Sequence, residues 1–522
     1  MRLTSVAFAA LAAASLTVQH HANACGGCFA PPTPPSSSAP PPLVTSHRMA
    51  LSISTEQTVL WDQIRYAGEP SEFAWVLPVK PGARIEVASD AWFDVLDAAT
   101  APLVTPPELD CSAAESSCSS APVAMVPSMA ASVGMGCGDA GGESQLVLPD
   151  VDGVDVVSHG SAGPYETVIL HGDEPGALTN WLDAHGYAVE DDIAPLIESY
   201  VEEGFDFVAL RMAPGAGIAQ MRPVRVIQPG AVPVLPLRMV AAGSAAKTAL
   251  SLFVVAEARY TPSNFPEFAI DKARLRFDFS DQTSNYGALR DEVFDLGGGR
   301  AWLSSFSRPA GFFKTFPSPS TGFPMLFRTS DGLSYTTIAD AFIHQGFQNG
   351  ETTSTDCAAA FRGLEYDVRR VVHPCDEDGE CREIDATNEI DARTLACAPP
   401  IGSDIPFDDL SVALLGQHPR DVWITRLDAN LARASLDVDL ELAPAPLQKE
   451  RSAFIMAQLI EGAGEDCEIA DAVAPTSKPS NRDAARLGVA FTLALTALAI
   501  ALRRLSKLWP RLSARPGAEA QS

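Results

Sequence analysis

Polar and apolar residues alternate over residues 44–54, with Met49, Leu51 and Ile53 on one side. A period of two predicts a strand. Residues 58–66 and 72–79 continue the pattern, and Pro81-Gly82 marks a turn. The period then lengthens. Residues 90–99 place Trp92, Phe93, Val95 and Leu96 at helical spacing, with Ser89 as a cap. Residues 165–170 read as a strand. Asp173 can cap a helix ending at Gly186, with Leu178, Trp181, Leu182 and His185 on one face. A second helix over 191–203 buries Ile193, Leu196, Ile197, Tyr200 and Val201, and Gly204 stops it. Residues 205–212 return to strand. Strand–helix–helix–strand packs both helices onto a sheet.

Further strands are predicted over 223–227, 234–240, 250–260, 275–279, 422–427 and 434–442, and a helix over 287–296. No repeat of fixed period occurs. The fold class is α+β, a predominantly β-sheet ectodomain with a few helices packed on it. It divides into an N-terminal β-rich part (43–100), an α+β central part (164–349) and a cysteine-containing C-terminal part (350–482). Residues 101–163, rich in Pro, Ser, Ala, Gly and Cys, interrupt it as a surface insertion or linker.

The two ends break the globular pattern. Arg2, the apolar stretch 6–18 and Ala22-Asn23-Ala24 read as a secretory signal peptide over 1–24. Cys25 follows directly, which leaves a lipoprotein signal as the alternative. Seven prolines over 31–42 make 25–42 a stiff, Cys/Pro-rich spacer. Residues 487–502 carry no charge. Sixteen helical residues span about 24 Å, short of a ~30 Å hydrocarbon core, and flanking residues extend the expected transmembrane helix to 484–505. Arg503, Arg504, Lys507, Arg511 and Arg515 follow, with Trp509, and mark a basic cytoplasmic tail over 506–522. The partners implied are a membrane, crossed once, and an envelope component of unstated identity.

Charge sharpens that picture. The 522 residues carry 37 basic and 65 acidic side chains, a net −28. Residues 25–486 hold 31 and 64 of these, a net −33. So acidic a surface excludes nucleic acid, which needs a basic footprint. All ten cysteines lie in that exported part: Cys25, Cys28, Cys111, Cys118, Cys137, Cys357, Cys375, Cys381, Cys397 and Cys467. An even count in an oxidising compartment makes each a disulfide candidate. Their clustering suggests local bridges, and the connectivity stays open.

Candidate chemistry is sparse. Cys25-Gly26-Gly27-Cys28 has redox spacing but sits before a proline run, where a structural bridge is the better reading. Ser244-Ala245-Ala246-Lys247 matches a nucleophile motif without its K-T-G and S-D-N partners. Gly160-Ser161-Ala162-Gly163 is one residue short of a nucleophile elbow, and Gly215-Ala216-Gly217 leads into no helix. The mature histidines are scattered. Asp376, Asp378 and Glu380 between Cys375 and Cys381, and Asp150, Asp152 and Asp155 around Gly153, are acidic loops that can share a cation. Neither has full calcium-loop spacing, so Ca²⁺ is a weak candidate beside solvated turns.

Several segments carry a family resemblance. Cys25-Gly26-Gly27-Cys28-Phe29 resembles the mature start of the bacterial exported proteins called DUF2330, a domain of unknown function. Residues 73–79 (FAWVLPV), 180–187 (NWLDAHGY), 200–210 (YVEEGFDFVAL) and 423–427 (WITRL) are similar to it too. The resemblance implies an exported, membrane-associated protein and supplies no catalytic residue. Two functions stay open: a non-catalytic binding or structural ectodomain, or an envelope hydrolase or thiol-redox enzyme. The second needs His159 or His171 gathered with a carboxylate and Ser161, or a free thiol at Cys25 or Cys28.

Overall fold

The computed structural model describes residues 28–29, 43–67, 74–110, 153–172, 174, 176–214, 216, 220–318, 324–348, 409–417, 421–463 and 467–469. They fall into two units. The larger takes in 1–107 and 114–465, the smaller 108–113 and 466–522. In the smaller, Leu109–Asp110 pairs antiparallel with Glu468–Ile469, and Cys467 is disulfide-bonded.

The larger unit is built on an eight-stranded sheet. Its order is Glu267–Phe268, Trp302–Pro309, Trp423–Ala432, Ser244–Ala256, Leu43–Ile53, Gln57–Ala67, Val224–Pro229 and Arg84–Val87. Ser244–Ala256 lies at its centre, parallel to Leu43–Ile53 and antiparallel to Trp423–Ala432. Successive strand residues point to opposite faces, and here both faces are covered. Ala50, Phe253, Val255 and Ile424 enter one core with Trp61. Met49, Leu51, Leu252, Val254 and Leu427 enter the other. Parallel pairing at the centre fits burial on both sides.

On the first face sit the helices Asp90–Thr100, Ile338–Gln348 and Asp409–Leu414. Ser89 caps the first by accepting from Trp92 N at 3.2 Å. Trp92 is the hub of the aromatic packing, 5.1 Å from Trp61 and 5.9 Å from Phe312 by ring centroids. On the second face sit Ala177–Ala184, Ala194–Glu202 and Leu237–Val240. They share that core with a five-stranded sheet in the order Cys28–Phe29, Ala74–Val79, Asp206–Met212, Tyr165–Gly172, Val154–Ala162. Phe29 is buried there against Ala74.

The mostly-β architecture with few helices matches the expected class, and several details correct it. The alternation over 234–240 is not one strand. Val234–Leu235 is a two-residue strand, and Leu237–Val240 turns into a helix after Pro236. The helix expected from Asp173 begins at Ala177, with Gly176 as its cap at φ +83°. The Gly176 N–H, with no side-chain cap of its own, donates to Glu198 Oε1 at 2.7 Å. The expected insertion 101–163 contributes strands at both ends, Leu103–Thr105 and Val154–Ala162. The strand expected over 434–442 is Leu440–Pro444, because Arg433–Ser435 is a short 3-10 helix. Among the described residues no helix is long and apolar enough to cross a membrane. The expected span 484–505, the tail 506–522 and the leader 1–24 lie outside them.

Candidate functional site

Two backbone devices written in the sequence open the site. The first is the turn Lys80-Pro81-Gly82-Ala83, closed by Ala83 N–H donating to Lys80 O at 3.1 Å. Proline second and Gly82 third, at φ +84°, satisfy a type II turn. It leaves Lys80 at the end of the strand Ala74–Val79. The second device is the end of the helix Ala194–Glu202. Gly204 takes φ +71°. Its N–H donates to Val201 O at 2.9 Å, and Phe205 N–H donates to Tyr200 O at 3.0 Å. That is a Schellman motif with its usual apolar contact, Phe205 packed edge-on against Tyr200 at 5.2 Å.

The two devices face one cleft of about 450 Å³, walled also by the helical turn Leu237–Val240 and the segment before the strand Leu440–Pro444. Arg238 organises its polar wall. Its Nη1 and Nη2 donate to the two Glu203 oxygens, both at 2.7 Å. Nε and Nη2 donate to Asp439 Oδ2 at 3.1 and 2.8 Å, and Nη1 also reaches Ser199 Oγ at 2.8 Å. All five guanidinium donors are thereby used. The guanidinium lies 3.9 Å over the Tyr200 ring, and Tyr200 OH donates to Asp439 Oδ1 at 2.5 Å. Burial and the neighbouring Asp439 carboxylate push the Tyr200 phenol well above its usual range. The Arg238 hydrogen bonds hold Glu203 below the usual carboxylate range.

Lys80 is arranged differently. Its Nζ sits 3.4 Å from the centroid of the Phe205 ring. Its backbone N–H donates to Gln228 Oε1 at 2.8 Å. Burial lowers its pKa, against the opposing pull of Glu203 and Asp439.

Behind Pro236 lies a small space of about 10 Å³ with Asp62 in its wall, room for about one water. His47 Nδ1 stands 3.2 Å from Asp62 Oδ1, and both residues are buried. His47 Nε2 has no hydrogen-bond partner among the described residues. Burial raises the Asp62 pKa, and His47 opposes the shift.

The residues singled out from sequence are placed as follows. Cys28 is on the strand Cys28–Phe29, paired with Trp75. Asp155 is exposed on Val154–Ala162, opposite His171. Cys25, Cys111, Cys118, Cys137, Cys357, Cys375, Cys381, Cys397, Asp150, Asp152, Asp376, Asp378 and Glu380 lie outside the described residues. Among the described residues no group of three or more His, Cys, Asp or Glu could hold a metal. His171 does meet a carboxylate, Asp206, at 2.6 Å. Ser161 does not join it. Ser161 pairs with Glu166, five residues along the strand and thus about 17 Å away. His159 is opposite Val168. His185 stacks on Trp181 at 3.7 Å and its Nδ1 lies 2.6 Å from Trp181 O, a half-buried histidine at a helix end. Ser244 to Lys247 open the central strand, with no helix to present a nucleophile.

Lys80, Glu203, Arg238 and Asp439 were missed from sequence. Pro233 and Pro236 were the available signal, since two prolines do not fit a central strand and one of them starts the turn that carries Arg238.

No curated protein and no solved structure matches the chain. A family model described as an uncharacterised protein conserved in bacteria, DUF2330, matches residues 21–308. That is more than half of the 522 residues. It includes 73–79 and 200–210, which meet at the cleft, and stops short of Trp423–Ala432, which completes the same sheet as the matched strands. On that match the chain belongs to the bacterial DUF2330 family.

Proposed function

We propose that this is an exported envelope protein, held by one C-terminal span, whose ectodomain binds a ligand in the Arg238 cleft without transforming it. One observation carries the binding part. The cleft's volume suits a small ligand, while Arg238, Glu203, Asp439 and Tyr200 are locked into one another. Catalysis by proton transfer needs a base free to accept and an acid free to donate. Groups saturated by mutual hydrogen bonds give shape and fixed polarity instead. Export and anchoring are supported by the leader-like 1–24, the uncharged 487–502 and the basic residues after it.

The test uses the full-length protein and a variant with the cleft obstructed, Val438→Trp. Val438 lines the cleft and is exposed, so the indole can occupy the space without entering the core. Saturation-transfer NMR against a library of small envelope metabolites is expected to show binding to the parent and loss in the variant. Every bound compound should be recovered unchanged. Turnover of a bound compound, or equal binding by both proteins, would defeat the reading. Recovery of the full-length protein in the soluble fraction without detergent would defeat the anchor.

A further inference from the structure

The cleft's polar groups divide sharply into those already satisfied and those still open. Its four carboxylates are engaged. Glu203 and Asp439 are held by Arg238. Asp437 takes Arg300 Nη1 at 2.7 Å. Glu441 accepts from Ser263 Oγ at 3.4 Å. The Asn264 amide is used at both ends, donating to Asp439 O at 2.7 Å and accepting from Glu441 N at 3.0 Å.

Two donor groups are open. Lys80 makes no ion pair among the described residues. Its ammonium meets only the Phe205 face, and an aromatic face takes one side of a group with three N–H donors. The Gln228 amide gives its oxygen to Lys80 N, and its NH₂ has no hydrogen-bond partner among the described residues. Both residues line the cleft, and the bond from the Lys80 backbone N–H to Gln228 Oε1 ties them together, so the two residues belong to one wall.

We propose that this wall is the recognition site for the carboxylate of a small organic monoanion, whose apolar body lies along Pro78, Val232, Val234 and Val438. The proposal rests on the cleft being a binding site and names what it binds. A carboxylate would give both donors charge-assisted hydrogen bonds and would set a direct ion-pair partner on Lys80, which Glu203 and Asp439 attract without contacting. Burial already works against the Lys80 charge, so an incoming anion is favoured at that spot over further water. The same wall limits the ligand's charge. Glu203, Asp437 and Glu441 line the same cleft, and a dianion such as a phosphate or phosphonate would bring a second negative charge toward them. An amine is excluded at Lys80 by like charge. The carboxylate can come from a free acid or from the C-terminus of a peptide, and the chemistry at Lys80 is the same.

Isothermal titration of the full-length protein separates these cases with charge-matched probes. These are hexanoate, hexylphosphonate, hexylammonium and the peptide acetyl-Ala-Val-Val as acid and as amide. Hexanoate, the peptide acid or both are expected to bind at least tenfold more tightly than hexylphosphonate, with hexylammonium and the peptide amide weaker still. A preference between the two acids identifies the source. Lys80→Met is expected to weaken acid binding at least tenfold, and Lys80→Arg to retain most of it. The probe series on the parent protein stands by itself if Lys80→Met fails to fold. Hexylammonium or hexylphosphonate binding as tightly as the acids overturns the carboxylate assignment and leaves the binding cleft standing. Acid binding untouched by Lys80→Met in a folded protein does the same. No binding by any probe overturns the carboxylate assignment. The binding reading falls separately if the Val438→Trp comparison also shows no difference.

Discussion

Asp409→Ala tests how the C-terminal part of the chain holds the sheet together. Asp409 is 1% exposed. Its Oδ1 accepts from Trp61 Nε1 at 2.7 Å and from Arg225 Nη1 at 2.9 Å. Its Oδ2 accepts from the backbone N–H and the hydroxyl of Ser89, each at 2.9 Å. Burial acts against the Arg225 charge, and Asp409 with Glu86 outweighs it, so the Arg225 pKa is raised. Removing the carboxylate leaves Arg225 with Glu86 alone, and Glu86 is partly in solvent. Breaking one partner out of a buried pair costs about 3–5 kcal/mol. The stranded Trp61 and Ser89 donors each carry a penalty of about 1–3 kcal/mol, part of which relaxation and water recover. The expected loss is therefore about 4–6 kcal/mol, large against the roughly 5–15 kcal/mol of a folded domain. Urea unfolding followed by tryptophan fluorescence reads it on the full-length protein. The pair Asp409→Leu with Arg225→Met removes both charges together. We expect the double variant to be more stable than Asp409→Ala by about 1–3 kcal/mol, since an apolar replacement of both partners avoids a lone buried ion. A loss below about 1 kcal/mol for Asp409→Ala, or simple additivity in the pair, would refute the reasoning.

Asp62→Asn has a pH signature. Burial puts the folded pKa of Asp62 above its unfolded value. Its contribution to stability is therefore fully present below the unfolded pKa of about 3.9 and is lost as pH rises through the folded one. The urea midpoint of the variant should gain on that of the parent between pH 4 and pH 7, and a constant difference across the range would sink the idea. Gly204→Ala should cost about 1 kcal/mol, because φ is +71° there while a Cβ meets nothing within 4 Å. A cost near zero would mean that the Schellman turn does not constrain the chain. Non-reducing peptide mapping should recover Cys467 in a cross-linked peptide. Quantitative alkylation of Cys467 without reductant would contradict the bridge.

What could be read from the chain follows the range of the interaction. Ser89, Pro81-Gly82, Gly186 and Gly204 act on backbone within four residues of themselves, and each does in the fold what its chemistry predicts. Five strands of the large sheet overlap stretches legible as strand, Leu43–Ile53, Gln57–Ala67, Val224–Pro229, Ser244–Ala256 and Trp423–Ala432, whereas Arg84–Val87, Glu267–Phe268 and Trp302–Pro309 were not read. Burial on both faces blurs the period of two, and Ala50 and Phe253 pack as deeply as Met49 and Leu252. The misreading at 234–240 has a local cause. Apolar residues at alternate positions fit a strand and a short turn equally, and Pro236 decides for the turn.

The cleft belongs to the other class, since none of its polar contacts is local. Arg238 meets Glu203 35 positions away and Asp439 201 positions away. Nothing in the flanking residues distinguishes either acid from the 65 in the chain. Yet the frame that brings them together is local. The type II turn delivers Lys80, the Schellman turn delivers Phe205 and Glu203, and Pro236 delivers Arg238. Three short-range stops, each legible by its own chemistry, end their elements at one edge of the second core. A site built this way advertises its scaffold in the sequence and conceals its partners. The ligand is thus better sought from the donors the scaffold leaves open, at Lys80 and Gln228, than from any motif.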